Sequence, residues 1–172
     1  MASTLTVDNI VGATTAANVK MPAGHLVQRQ STKFSTAYTN TTTSLSDIGG
    51  ATLTFTPKFA TSTLCITFNM HINVYTSGTN TNAGGQIILL HDGTNLDYAA
   101  GNYELYFQND ASDGVGPNNF LRQVKFSEVA ASNTNARVIK AQGRMYNATT
   151  AGLRINQGGY YTSYLIVEEI AQ

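Results

Sequence analysis

Residues 63–75 read Thr-Leu-Cys-Ile-Thr-Phe-Asn-Met-His-Ile-Asn-Val-Tyr, and this stretch decides the fold. Leu64, Ile66, Phe68, Met70, Ile72 and Val74 fall on every second position, with Cys65, Thr67, Asn69, His71 and Asn73 between them. A period of two belongs to a β-strand, whose successive side chains point to opposite faces, and not to a helix with its period of 3.6. The stretch is therefore a strand with one dry face. At about 3.3 Å per residue it spans roughly 35–40 Å, well beyond the usual strand of about five or six residues, and can run the full height of a sandwich.

Outward from it, the same reasoning extends the β pattern in both directions. On the N-terminal side Leu26–Ser31 makes a first strand, Phe34 and Tyr38 either continue it or begin the next segment, and a hydroxyl-rich loop follows at Asn40–Ser46. Asp47-Ile48-Gly49-Gly50 reads as a turn into Ala51–Pro57, where Leu53 and Phe55 alternate with threonines. On the C-terminal side Thr76–Gly85 is all small and polar and reads as a loop, Gln86–Leu90 as a short apolar strand, and Asp92-Gly93 as a tight hairpin leading back through Leu96 and Tyr98. Tyr103–Phe107 is strand-prone, and Gln108–Asn119 is a long turn region. Phe120, Val124 and Phe126 define another alternating strand, with Arg122 and Glu128 on the same parity. After a turn at Ala130–Asn135, Arg137–Tyr146 reads as a strand bent at Gly143, Leu153 and Ile155 mark a short one, and Tyr160–Ile170 closes the chain. That is about eight to ten strands with no amphipathic helix and no repeat, the pattern of a single jelly-roll-like antiparallel β-sandwich over residues 25–172. Residues 1–24 differ: Gly12 and Met21-Pro22-Ala23-Gly24 interrupt any regular element, and the segment is expected to be an extended arm carrying Leu5, Val7, Ile10 and Val11.

The 172 residues suit one domain with a core of its own. Net charge is zero and charged residues make up 12%, about half the usual share, so neither a nucleic-acid footprint nor a polybasic membrane patch is present. No apolar run is long enough for a membrane span, and the first residues lack the form of a signal peptide; a soluble, cytoplasmically made chain is expected. A sheet protein so poor in charge has little to blunt its edges, which points to neighbouring copies as their cover.

Candidate chemistry is sparse. His25, His71 and His91 have no zinc-site spacing, Cys65 stands alone inside a strand, and no nucleophile elbow or phosphate loop occurs. Glu168 and Glu169 are adjacent on a strand, point to opposite faces and cannot form an acid–base pair. The loop at Asn109–Gly114 lacks the ligand spacing of a calcium loop. No catalytic residue, metal or cofactor is expected. Tyr103, Tyr106, Tyr160, Tyr161 and Tyr164 concentrate in the second half and suit a subunit interface or a sugar-stacking surface, while Asn80, Asn82, Asp110, Asp113 and Asn118 are expected on exposed binding loops.

Two patches carry a resemblance. Thr4-Leu5-Thr6-Val7-Asp8-Asn9-Ile10 and Ala16–Gln28 resemble the lead-in of structural and fibre proteins of tailed bacteriophages of cyanobacteria and marine bacteria; Leu45–Gly49, Leu53–Pro57, Leu64–Ile66 and Tyr164–Ala171 look like the β-sandwich module that follows it. The resemblance implies a homotrimeric jelly roll, similar in shape to tumour-necrosis-factor and C1q heads, on the outer surface of a virion. It implies a capsid decoration or cement protein docked by its arm on a capsid or tail/portal-associated partner. The alternative it leaves is a fibre or knob module that binds host glycans.

Overall fold

The computed structural model describes residues 22–76, 82–96, 105–108, 118–146 and 151–172. Eleven strands run through them: β1 Leu26–Phe34, β2 Tyr38–Asn40, β3 Ser46–Phe55, β4 Thr63–Thr76, β5 Asn82–His91, β6 Thr94–Asn95, β7 Leu105–Gln108, β8 Asn118–Ala130, β9 Arg137–Met145, β10 Ala151–Ile155 and β11 Ser163–Ile170. All pairings are antiparallel. In the first sheet β4 is central: β8 lies along one edge of it, while β11 and then β10 share the other and lead on to β1 and β2. In the second sheet the order is β3-β9-β5, with β6 and β7 both on the far edge of β5. The main strands thus form one sheet β1-β11-β4-β8 and another β3-β9-β5-β7, the strand order of a jelly-roll-like all-β sandwich.

The core forms as the long strand requires. Leu64, Ile66, Phe68, Met70, Ile72 and Val74 are all buried in one cluster with Ile87 and Leu89 of β5, Ile139, Ala141 and Met145 of β9, and Leu165 and Val167 of β11. Phe34 stacks on Phe68 with ring centroids 6.1 Å apart. Each such side chain contributes roughly 1.5–3 kcal/mol on removal from water, so β4 alone organises a large part of the fold's stability.

Several boundaries differ from the sequence reading, each for a reason local residues cannot supply. Residues 46–50 belong to β3, and the irregularity is a register shift between Asp47 and Thr52 against β9, with Gly50 at φ 86° taking up the bend. Gly143 is not a bend. It sits in regular pairing with Ile87, and a Cβ there would come within 2.9 Å of the Leu153 side chain; Gly85 has the same relation at 2.8 Å, so the two glycines form the seat into which Leu153 inserts. Asn82–Gly85 and Thr76 are strand and not loop, and Gln108, Asn118 and Asn119 likewise lie in β7 and β8. The Asp92-Gly93 hairpin is present, both residues having positive φ as a type I′ turn demands. Tyr160–Thr162 precede β11 and do not extend it. Residues 1–21, which include the expected docking residues Leu5, Val7, Ile10 and Val11, lie outside the described residues, as do Asn80, Tyr98, Tyr103, Asp110 and Asp113.

The edge strand β8 reverses the usual polarity. Its register with β4 turns Gln123, Lys125, Ser127 and Val129 inward opposite Met70, Phe68, Ile66 and Leu64, and turns Val124 and Phe126 outward. Lys125 reaches across to donate to the Ile87 carbonyl at 2.6 Å, in the interval that β6 and β7 leave on the edge of β5. An inward-pointing lysine on an edge strand is a known device against edge-to-edge pairing. Lys125→Met should remove this link between the two sheets and cost about 1–3 kcal/mol in denaturant unfolding; an unchanged midpoint would show that water replaces the ammonium at no cost.

Candidate functional site

The outer face of the first sheet is the candidate site, and register assembles it in rows. Opposite residues of an antiparallel pair share a face, so Val124, Asn69, Tyr164 and Lys33 form one row across β8, β4, β11 and β1. Phe126, Thr67, Ile166 and Ser31 form the next, and Glu128, Cys65, Glu168 and Arg29 the one beyond it. On the other side of the Val124 row, Arg122 lies opposite His71. Val124 is 61% exposed and Phe126 56%, while Tyr164 and Ile166 are half-buried. Across β8, β4 and β11 the centre of the face therefore holds Val124, Phe126, Tyr164 and Ile166 around the neutral Asn69 and Thr67, bounded by Lys33 on β1, by Arg122 and His71 on one side and by Glu128, Glu168 and Arg29 on the other.

The flanks are chemically quiet. Cys65 donates to Glu128 at 3.8 Å, and burial together with the charges of Glu128 and Glu168 pushes its thiol above the ordinary range, the opposite of what a nucleophile needs. Arg29 pairs with Glu168 at 3.4 Å on the surface. Arg122 donates to Asn69 at 2.9 Å. The His71 ring stacks on Tyr161 with centroids 3.6 Å apart; burial and the neighbouring Arg122 lower its pKa, so it is neutral near pH 7. Further along, Arg154 lies 3.7 Å over the Tyr75 ring, a cation–π contact that Gly152 makes room for, since any Cβ there would collide with that ring.

Tyr161 stands over His71 beside a buried network. Asn156, in the left-handed region at φ 51°, donates to the Phe34 carbonyl at 3.0 Å and accepts from Ser163 Oγ at 2.8 Å, while Ser163 Oγ accepts from the His71 amide at 3.2 Å. Asn is among the few non-glycine residues that take this conformation readily.

Of the five tyrosines expected at an interface, Tyr161 and Tyr164 lie on this face, Tyr160 stands beside it 90% exposed, and Tyr106 is on β7 in the other sheet. Asn82 and Asn118, expected on loops, are strand residues of β5 and β8 because their backbones pair with Gln108 and Tyr75. The sequence reading missed Val124, Phe126 and Ile166 as surface residues. One signal was available: Arg122 and Glu128 share the parity of Val124 and Phe126, and a face bearing two charges is not core. Among the described residues no three His, Cys, Asp or Glu side chains gather as a metal site, and no helix is long and apolar enough to cross a membrane.

No family model matches the chain, and no curated protein does. Among solved structures, the crystal structure of dimeric latent PorU from Porphyromonas gingivalis aligns over 88% of this chain and 14% of that one, at 9% identity and a TM-score of 0.33. The chain thus spans about a seventh of that protein's length, and the likeness carries no functional inference.

Proposed function

We propose that this chain is a non-enzymatic structural protein of a phage virion, a homotrimer that decorates or cements the particle and is held to it by its N-terminal arm. The observation that carries the trimer is the set of outward apolar side chains Val124 and Phe126 of β8 and Tyr164 and Ile166 of β11, on either side of the neutral Asn69 and Thr67 of β4. A strand that turns Val124 and Phe126 to solvent while Gln123, Lys125 and Ser127 face the sandwich interior makes sense when a second copy covers the outward side. The charge-poor surface fits the same reading, and the virion assignment rests on the resemblance of residues 4–28 and of the sandwich segments to phage structural proteins.

A second reading, a knob that contacts host glycans, draws support from Tyr160, whose exposed ring packs over Gly158 and offers a flat face for sugar stacking. A glycan array with the purified protein separates the two. Removal of residues 1–20 should leave a trimer that no longer joins the particle. Retained incorporation of that truncated protein would overturn the arm's role, and location of the protein at the fibre tip in a reconstruction would favour the knob.

A further inference from the structure

One end of the sandwich is closed by a continuous polar belt. Glu169, at the end of β11, accepts from Ser62 Oγ at 2.6 Å. The Ser62 carbonyl accepts from the Ala131 amide at 2.8 Å, and the Ala131 carbonyl accepts from Nη2 of Arg137. Nη2 also reaches the Asn133 carbonyl at 3.3 Å, and Nη1 lies 3.1 Å from Nε2 of His91 at the end of β5. The belt therefore links β11, the β3–β4 connection, the β8–β9 loop, β9 and β5. The chain enters the sandwich at this same end, where the Gly24 amide donates to the Ala171 carbonyl at 2.8 Å and the Ala171 amide donates to the His25 carbonyl at 2.9 Å.

The His91–Arg137 joint sets the belt's chemistry. A guanidinium has only donors, so Nε2 of His91 must present its lone pair and the ring proton must sit on Nδ1. Both residues are buried, His91 at 9% and Arg137 at 7% exposure, and Arg137 has no ion pair with a carboxylate among the described residues. The charged groups that face His91 among those residues are Arg137 from β9 and Asp92 from its own turn. Asp92 is committed elsewhere through Oδ1, which accepts from the Val138 amide at 2.8 Å. Protonation of Nε2 would remove the acceptor and set two cations against each other in a buried site.

We propose that this end of the sandwich is an acid-sensitive latch, in which protonation of His91 expels Arg137 from its seat and frees the β8–β9 loop, Ala131–Asn135, at the end where the chain enters through Gly24 and His25. Burial and Arg137 both hold the His91 pKa below its ordinary 6.5, with Asp92 opposing them. A depressed histidine pKa means the joint's stabilisation is complete above pH 6.5 and is lost as pH falls through the lower, folded-state value. The latch is independent of the trimer reading and is testable on the isolated protein.

The test is hydrogen exchange of the amides of residues 131–137 at pH 7.5 and 5.5, corrected for intrinsic rates, in the wild-type chain, His91→Gln and His71→Gln. The amide oxygen that His91→Gln introduces still offers Arg137 an acceptor but does not titrate. Exchange of that loop should rise measurably, by at most about tenfold, on acidification in the wild type and in His71→Gln, and stay flat in His91→Gln, since pH 5.5 lies one unit below the ordinary histidine value and one unit corresponds to a tenfold change. An equal rise in all three, or none in the wild type, overturns the latch. Should His91→Gln fail to fold, the imidazole nitrogens of the wild type decide: an Nδ1–H tautomer titrating below 6.5 supports the latch, and a pKa at or above 6.5 overturns it.

Discussion

Glu169→Ala is expected to lower the stability of the folded chain by about 3–5 kcal/mol, because it removes the one acceptor around which four donors are arranged. The carboxylate is fully buried and accepts from Ser62 Oγ, from the Lys58 amide at 2.9 Å, from the Phe59 amide at 2.8 Å and from Gln28 Nε2 at 2.7 Å. No cation neutralises it among these partners; its charge is balanced by oriented N–H and O–H dipoles. Truncation strips those donors of their common acceptor in a site shielded from water, which is the expensive way to lose a hydrogen bond. Glu168→Ala, one residue earlier, is the control. Glu168 faces outward in a surface pair with Arg29 and should cost less than about 1 kcal/mol. A denaturant midpoint that moves equally for both variants would remove the clamp from the account of this fold.

The same residue predicts an acid limb. Burial pushes the Glu169 pKa up, but the hydrogen bonds from Ser62, the Lys58 and Phe59 amides and Gln28 outweigh it and hold the carboxyl below its ordinary 4.5. Its contribution is therefore complete above 4.5 and is lost as pH falls through the folded-state value. Glu169→Gln should flatten that limb while leaving the separate change below pH 6.5 that His91 produces.

Phe126→Asp is expected to convert the proposed trimer to a folded monomer. The side chain is more than half exposed and points away from the core, so the sandwich should lose no more than about 0.5 kcal/mol. At a subunit contact, replacement of an aromatic anchor by a charge costs about 2–4 kcal/mol per contact, a weakening of roughly 30- to 1000-fold at each of the contacts that close the ring. Sedimentation of the variant and wild type at equal concentration reads the result directly. A Phe126→Asp protein that stays trimeric would place the interface elsewhere, and a wild-type chain monomeric at about 10 µM would end the trimer reading altogether.

Legibility in the sequence was uneven, and the pattern has a physical cause. The long strand, its dry face, the Asp92-Gly93 hairpin and the all-β class are local properties: side-chain alternation and positive-φ turns act within a few residues, and the chain states them openly. The outward turn of β8 was half legible. Its alternation is plain, but which parity faces in depends on pairing with β4 some fifty residues earlier, and only the charges of Arg122 and Glu128 hint at the answer. The Glu169 clamp and the His91–Arg137 joint were not legible, since Gln28 and Glu169 stand 141 residues apart and Arg137 meets His91 across 46. Sequence alone determined that this chain builds a sandwich around residues 63–75. Only the tertiary structure decided which face of that sandwich stays uncovered and which polar groups close its end, because register and burial are set by strands that meet from opposite ends of the chain.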